Sequence, residues 1–366
     1  MRFEYLIRPD ALLALEDPLV RKSLPRYVKI VKDELPAKFQ IAKRIAFDFG
    51  ESLSEKQLWL EHEKLMKKFY EVQEAIDKGE LSLKDLGIPK FSLLDLKIML
   101  TREILKSCQL CERKCGVNRL EGEKGFCKAL TEWKIFGAHH HYGEESELVP
   151  SGTIFQAACT MRCIYCQNAP ESVSPELGVK WSVEEVARWI EKMKKEGARN
   201  INWVGGSPTP WLLNILEALK LTNANIAQVW NSNSYYSKKT AKILDGVIDL
   251  YLLDFRYFNE ECAKILSSAP NYPEVARRNH LIAKKAGELL IRVLVIPTHI
   301  ECDAKPIVKW IKENLGEFTR VNILPQYRPC WEAFNYRGID RPLTHEEWLS
   351  VVEYAKRIGL KNLVMS

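Results

Sequence analysis

Residues 152–166 read GTIFQAACTMRCIYC. The run 152–158 is short and mostly apolar, and it reads as a buried strand. Cys159, Cys163 and Cys166 follow on the loop into which that strand opens. Three thiols so closely spaced at a strand's C-terminal end can converge on one metal centre. Soft thiolates select iron–sulfur clusters, zinc or copper(I). Three ligands are one short of a closed four-thiolate site, and a [4Fe–4S] cluster held by three leaves one iron open. The bland alternative for this spacing is a structural metal loop.

Downstream, strand and helix patterns alternate. Further strands are expected at 200–204, 226–231, 248–253, 289–296 and 320–324. Helix starts fall between them. Ser182 with Glu185 forms a capping box ahead of Val183, Val186, Ala187, Ile190 and Met193. Thr209 followed by Pro210 opens another helix, and Thr344 with Glu347 the last. This alternation predicts an α/β fold with a parallel sheet. Six strands are too few for a closed eight-stranded barrel, which leaves a partial (β/α)6-type barrel or a doubly wound sheet. In either, ligands sit at the C-terminal strand edge, where the cysteines lie.

Cys-x3-Cys-x2-Cys with an aromatic residue before the last cysteine resembles the signature of the radical S-adenosylmethionine (SAM) superfamily, over roughly the C-terminal 60% of the chain. The resemblance implies a [4Fe–4S] cluster on Cys159, Cys163 and Cys166 whose open iron chelates SAM. It further implies reductive cleavage of SAM to methionine and a 5′-deoxyadenosyl radical, which takes a hydrogen atom from a substrate. Tyr165 would lie beside the adenine. The segment Gly205-Gly206-Ser207-Pro208 is similar to the family's Gly-Gly-Glu-Pro stretch and would meet the methionine end, with Ser207 where a carboxylate is common. Asn231 and Asn233 resemble part of a Thr-Asn-Gly stretch. Asp254 lies in a stretch similar to the Leu-Asp-Leu-Lys of pyruvate formate-lyase-activating enzymes, and Arg292 in one similar to their Arg-x4-Pro strand. These four would sit around SAM or substrate. The order of motifs is most similar to the activating-enzyme-like group of oxidoreductases.

Upstream, residues 1–105 read as a helical region. Its clearest helix starts at Ser54 with Gln57 completing a capping box, carries Leu58, Leu65, Phe69, Val72 and Ile76 on one face, and stops near Gly79. Residues 106–150 form a cysteine-rich metal-binding segment and connector, and 151–366 the partial barrel. Cys108, Cys111, Cys115 and Cys127 offer four thiolates, with Gly116, Gly122 and Gly125 supplying turns. A zinc site, a second [4Fe–4S] cluster, and unligated or redox thiols all remain open for them. Of the run His139-His140-His141, only the first and last share a side on a strand. A polar loop near the SAM site is expected there, with His141 and Glu144 as candidates for substrate contact. Cys302 and Cys330 follow predicted strands that would let them overlook the cavity; they read as small buried hydrophobes, with a thiyl hydrogen donor or an extra cluster ligand as the alternative. Cys262 reads as packing on a helix. Tyr327 and Arg328 could line the substrate mouth.

Composition bounds the partners. Hydrophobic residues make up 46% of the 366-residue chain, enough for a large core, and the net charge of +6 does not call for a nucleic-acid partner. No apolar run approaches the ~18 residues of a membrane helix, and the first residues show no secretory pattern, so a cytoplasmic protein without a membrane partner is expected. Ten cysteines in a reducing compartment point to ligands rather than disulfides. A reductant such as ferredoxin or flavodoxin and a protein or small-molecule substrate are the expected partners. The functions in contention are glycyl-radical activation of a protein, radical modification of RNA or of a protein side chain, and electron carriage by an iron–sulfur protein that binds SAM without cleaving it.

Overall fold

In the computed structural model, which describes residues 8–48 and 53–364, strand β1 is Lys134–His141, β2 Ser151–Gln156, β3 Val179–Lys180, β4 Asn200–Gly205, β5 Ala227–Ser232, β6 Leu250–Asp254, β7 Glu288–Leu294, β8 Arg320–Leu324 and β9 Leu363–Val364. They form one sheet in the order β3-β1-β2-β4-β5-β6-β7-β8-β9. Pairing from β2 through β9 is parallel, while β1 runs antiparallel to both β2 and β3. Six of these seven parallel strands, β2 and β4 to β8, are each followed by helix and make the partial (β/α)6 barrel. Its central strands are buried almost throughout, as β5 shows, because helices cover one side and the barrel interior the other. The first seven residues, on which the absence of a leader pattern was in part read, lie outside the described residues.

The capping boxes at Ser54, Ser182 and Thr344 all form, opening helices Glu55–Asp77, Val183–Lys195 and His345–Arg357. Leu58, Leu65, Phe69 and Ile76 of the first are buried. Thr209 departs from expectation. Pro208 already has helical angles (φ −72°, ψ −22°), so the extended conformation of an N-cap is lost. A 3₁₀ turn, Thr209–Trp211, comes first, and helix Leu212–Leu221 follows uncapped.

Before the first cysteine every described element is helical, and these helices close the N-terminal end of the barrel. The carboxylate of Glu288, first residue of β7, accepts from the N–H groups of Arg26 and Tyr27 at the start of helix Pro25–Val31. Asp249 accepts from Lys38 N–H at 2.9 Å. The Tyr27 hydroxyl donates to the Glu147 carbonyl. Among the described residues no helix is long and apolar enough to cross a membrane.

Residues 138–141, expected in a polar loop, instead end strand β1, Lys134–His141. As the neighbour of two-residue β3 it is only partly buried, so it lacks the apolar signal of the central strands. His139 stacks on Phe155, His140 meets Glu196 and His141 meets Glu144. His139 and His141 also meet edge to face, but the three form no ligand set.

Candidate functional site

Each of the six parallel strands sends residues from its C-terminal end into one cavity. β2 leads to Cys159, Cys163, Tyr165 and Cys166. β4 supplies Gly205 and the adjoining Gly206, β5 Asn231 and the adjoining Asn233, and β6 Asp254 with Arg256 just beyond it. β7 supplies Arg292, and β8 leads to Gln326, Tyr327 and Arg328. Of the residues singled out in the sequence for SAM or its cluster, Ser207 alone does not reach this cavity. It is buried, and its Oγ turns inward to accept from Thr209 N–H. Cys302 and Cys330 also lie outside the lining.

The cysteine loop is held by hydrogen bonds to its sulfurs. Asn233 Nδ2 donates to Cys159 Sγ at 3.4 Å, Ser267 Oγ donates to Cys163 Sγ at 3.0 Å, and Cys166 Sγ bonds Ser172 Oγ at 3.2 Å. Ser267 also joins the hydroxyls of Tyr257 and Tyr165 in a chain behind the loop. Arg256 pairs with Asp254 at 2.6 Å and reaches Cys163 Sγ at 3.8 Å. Burial pushes the Cys159 thiol up to about 12, and Cys163 and Cys166 add to this. Burial raises Cys163 as well, and thiols held this high give up their protons readily only to a metal. Among the described residues the three sulfurs do not lie within 4.8 Å of one another. A single tetrahedral ion with bonds of about 2.3 Å wants sulfurs about 3.8 Å apart, so the spacing suits ligands spread over several irons. Buried Asn231 Nδ2, on the cavity wall, has no hydrogen-bond acceptor among the described residues. The donor set and this unpartnered amide fit a thiolate-held iron–sulfur cluster together with a ligand bearing a carboxylate.

The double glycine owes its place to crowding. Gly205 has φ +114°, and its carbonyl accepts from Asn168 Nδ2 at 2.8 Å, which ties the cysteine loop to the β4 turn. Arg256 ends the stretch likened to Leu-Asp-Leu-Lys and Asn168 follows the last cysteine of the motif by two residues, but their bonds to Cys163 and to the Gly205 carbonyl join segments far apart in the chain and have no local signal.

Below the cavity the connector 142–150 plugs the barrel with carboxylates. Arg292 binds Glu144 and takes both oxygens of Glu145 at 2.8 and 2.6 Å, and Arg320 binds Glu147. Asn202 and Asn322 donate to Glu144 and Glu145 at 2.8 Å each. Glu144 is thus committed inside the barrel with His141 as a partner, which corrects the expectation that the two contact substrate. Burial alone would raise the Glu144 pKa. Arg292 and His141 outweigh that and hold it at about 2, against an ordinary 4.5. The resulting stabilisation, on the order of 3 kcal/mol, is full above about pH 4.5 and is lost as pH falls towards 2. Glu144→Gln should be less stable than wild type at pH 6. Its melting temperature should change less between pH 6 and pH 3; parallel curves would contradict this.

The four-cysteine segment lies against the outer side of the catalytic loop. Cys108 and Cys111 are buried, Cys127 partly so, and Cys115 is exposed. No three of these sulfurs lie within 4.8 Å of one another. Two arginines stitch the segments together. Arg113 donates to the Thr160 carbonyl at 3.1 Å and Arg162 to the Phe126 carbonyl at 2.7 Å, and both guanidinium groups lie over the Phe126 ring.

The model of the radical SAM superfamily matches residues 153–311. An uncharacterized protein of Methanocaldococcus jannaschii is 40% identical over 343 residues, covering 92% of this chain and 98% of its own. Among solved structures, SuiB of Streptococcus suis bound to precursor peptide SuiA matches 56% of this chain at 16% identity, with a TM-score of 0.42. The match spans 46% of the SuiB chain, less than half its length. HydG, a maturase of the [FeFe]-hydrogenase, matches 98% of this chain and 66% of its own at 13% identity, with a TM-score of 0.41.

Proposed function

Since this chain belongs to the radical SAM superfamily, we propose that its cavity holds a [4Fe–4S] cluster on Cys159, Cys163 and Cys166 together with SAM, and that it acts on a polypeptide in the manner of the glycyl-radical activating enzymes. The observation that carries this reading is the meeting of three thiols and the ends of all six parallel strands in one cavity. When bound, cluster and SAM supply one-electron cleavage of the sulfonium and hydrogen-atom abstraction from a substrate.

The chain's own residues hold and shield. Asn233, Ser267 and Ser172 hydrogen-bond the ligand sulfurs and thereby tune and orient them. Asn231 and the backbone at Gly205 and Gly206 line the cavity and would hold the amino-acid end of SAM, and Tyr165 would lie on the adenine side. Asp254, Arg256 and Arg292 enter the cavity already paired, so they orient polar groups without adding a large net charge.

A protein substrate is favoured by the loop after β8. Arg328 lines the cavity, and Trp331, Phe334 and Tyr336 stand exposed a few residues on, the aromatic character of a surface that receives a polypeptide. The four-cysteine segment holds a second [4Fe–4S] cluster. Its sulfurs are spread too widely for one zinc ion, and its stitching to the catalytic loop suits a relay from a ferredoxin or flavodoxin in the cytoplasm.

Anaerobic reconstitution and reduction should yield 5′-deoxyadenosine from SAM; none above a Cys163→Ala control would contradict the proposal. Proteins and metabolites from cells with and without the gene should differ in a radical or covalent change on one protein. A changed metabolite with every protein unaltered would overturn the substrate reading.

A further inference from the structure

Two cysteines that the radical chemistry does not use come together away from the cavity. Cys262 is the third residue of helix Glu260–Ser267, which follows β6. Cys302 and Asp303 lie in a π-helical turn, Ile300–Ala304, which follows β7. Such turns are rare and occur often at functional sites. Cys262 Sγ and Cys302 Sγ are 3.9 Å apart, and Cys302 Sγ is 3.6 Å from Asp303 Oδ2. The ligating atoms of all three residues fall within 4.8 Å of one another, and among the described residues no other group of three does so.

Those distances match a metal centre. Zinc–sulfur bonds of about 2.3 Å and a zinc–oxygen bond of about 2.1 Å, arranged tetrahedrally, put the two sulfurs about 3.8 Å apart and sulfur and oxygen about 3.6 Å apart. A disulfide requires sulfurs about 2.05 Å apart and gives Asp303 no part. The aspartate is prepared for the role. It is 3% exposed, and its Oδ1 accepts from the N–H groups of Phe258 and Asn259 at 2.6 and 2.8 Å, which fixes the carboxylate and leaves Oδ2 facing the thiols. Lys305, two residues on, pairs with Glu301 instead.

We propose that Cys262, Cys302 and Asp303 bind one soft divalent cation, zinc, with water in the fourth position. Two thiolates select zinc over calcium or magnesium. Binding releases two thiol protons to solvent. Both cysteines are partly exposed, so water can complete the shell. The ion ties the helix after β6 to the turn after β7. That helix supports the catalytic loop, since Leu266 and Ser267 carbonyls accept from Ile164 and Arg162 N–H at 2.9 Å each.

The test is metal analysis of the full chain, purified and reconstituted anaerobically. Cys262→Ala/Cys302→Ala should lose about one zinc per chain with iron unchanged, whatever the four-cysteine segment holds. Asp303→Asn keeps an acceptor for the two N–H groups, so it should fold and should lose zinc to a chelator about tenfold or more faster. Equal zinc in wild type and the double variant, a Cys262–Cys302 disulfide in the anaerobic protein, or unchanged zinc retention in Asp303→Asn would each overturn the proposal.

Discussion

Replacing Cys159, Cys163 and Cys166 together with alanine should abolish 5′-deoxyadenosine formation and lower the iron content from about eight to about four per chain. The first effect follows from the ligand count. These are the three thiols of the cavity, and the side chains bonded to their sulfurs, the Asn233 amide and the hydroxyls of Ser267 and Ser172, are hydrogen-bonding groups rather than replacement ligands for iron. The second follows from the separate seat of Cys108, Cys111, Cys115 and Cys127, whose loop is pinned by its own backbone bonds, Cys108 N–H to the Val117 carbonyl and Gly116 N–H to the Cys108 carbonyl. Iron falling to zero while deoxyadenosine is still lost would remove the second cluster and leave the first standing. Residual cleavage of SAM by the triple variant would contradict the site itself.

Gly206→Ala should cost about 4 kcal/mol or more and carry activity down with it. A Cβ there would stand 2.1 Å from the Ala158 carbonyl oxygen, and one at Gly205 would stand 2.1 Å from Gln156 N at a φ that other residues avoid. In both cases the obstacle is backbone, so no side chain can turn away to make room. Relief requires the β4 turn to move off β2, and Gly206 N–H then loses its bond to the Gln156 carbonyl. Ala158, against which the turn would press, leads directly into Cys159, so the cysteine loop is disturbed along with stability. Gly87→Ala meets nothing within 4 Å and should stay within about 0.5 kcal/mol of wild type. Denaturant midpoints of the three proteins check this. A wild-type midpoint for Gly206→Ala would mean that the turn is looser than its contacts indicate.

What was legible in the sequence shares a physical character. The six parallel strands announce themselves because strands covered on both sides carry short, mostly apolar runs between turn and cap signals, and each is placed within two residues or so of its observed ends. The capping boxes were legible because cap and partner lie three residues apart. β1 was not, since a partly exposed strand next to the sheet edge carries Lys134, Gly137 and three histidines instead of an apolar run. The plug of Glu144, Glu145 and Glu147 escaped notice because its partners, Arg292 and Arg320, lie about 150 residues away and no local pattern links them. The meeting of Cys262 with Cys302 was hidden for the same reason. Ser207 shows the opposite failure: the motif placed it at the cofactor, and a local bond to Thr209 N–H turns it away.

The most direct test of the central claim is electron paramagnetic resonance of the reduced, reconstituted chain with and without SAM. SAM should change the spectrum of one cluster in wild type and leave the Cys163→Ala spectrum unchanged. Superimposable wild-type spectra at saturating SAM would show that the three-cysteine site does not engage it, and the functional reading would fall.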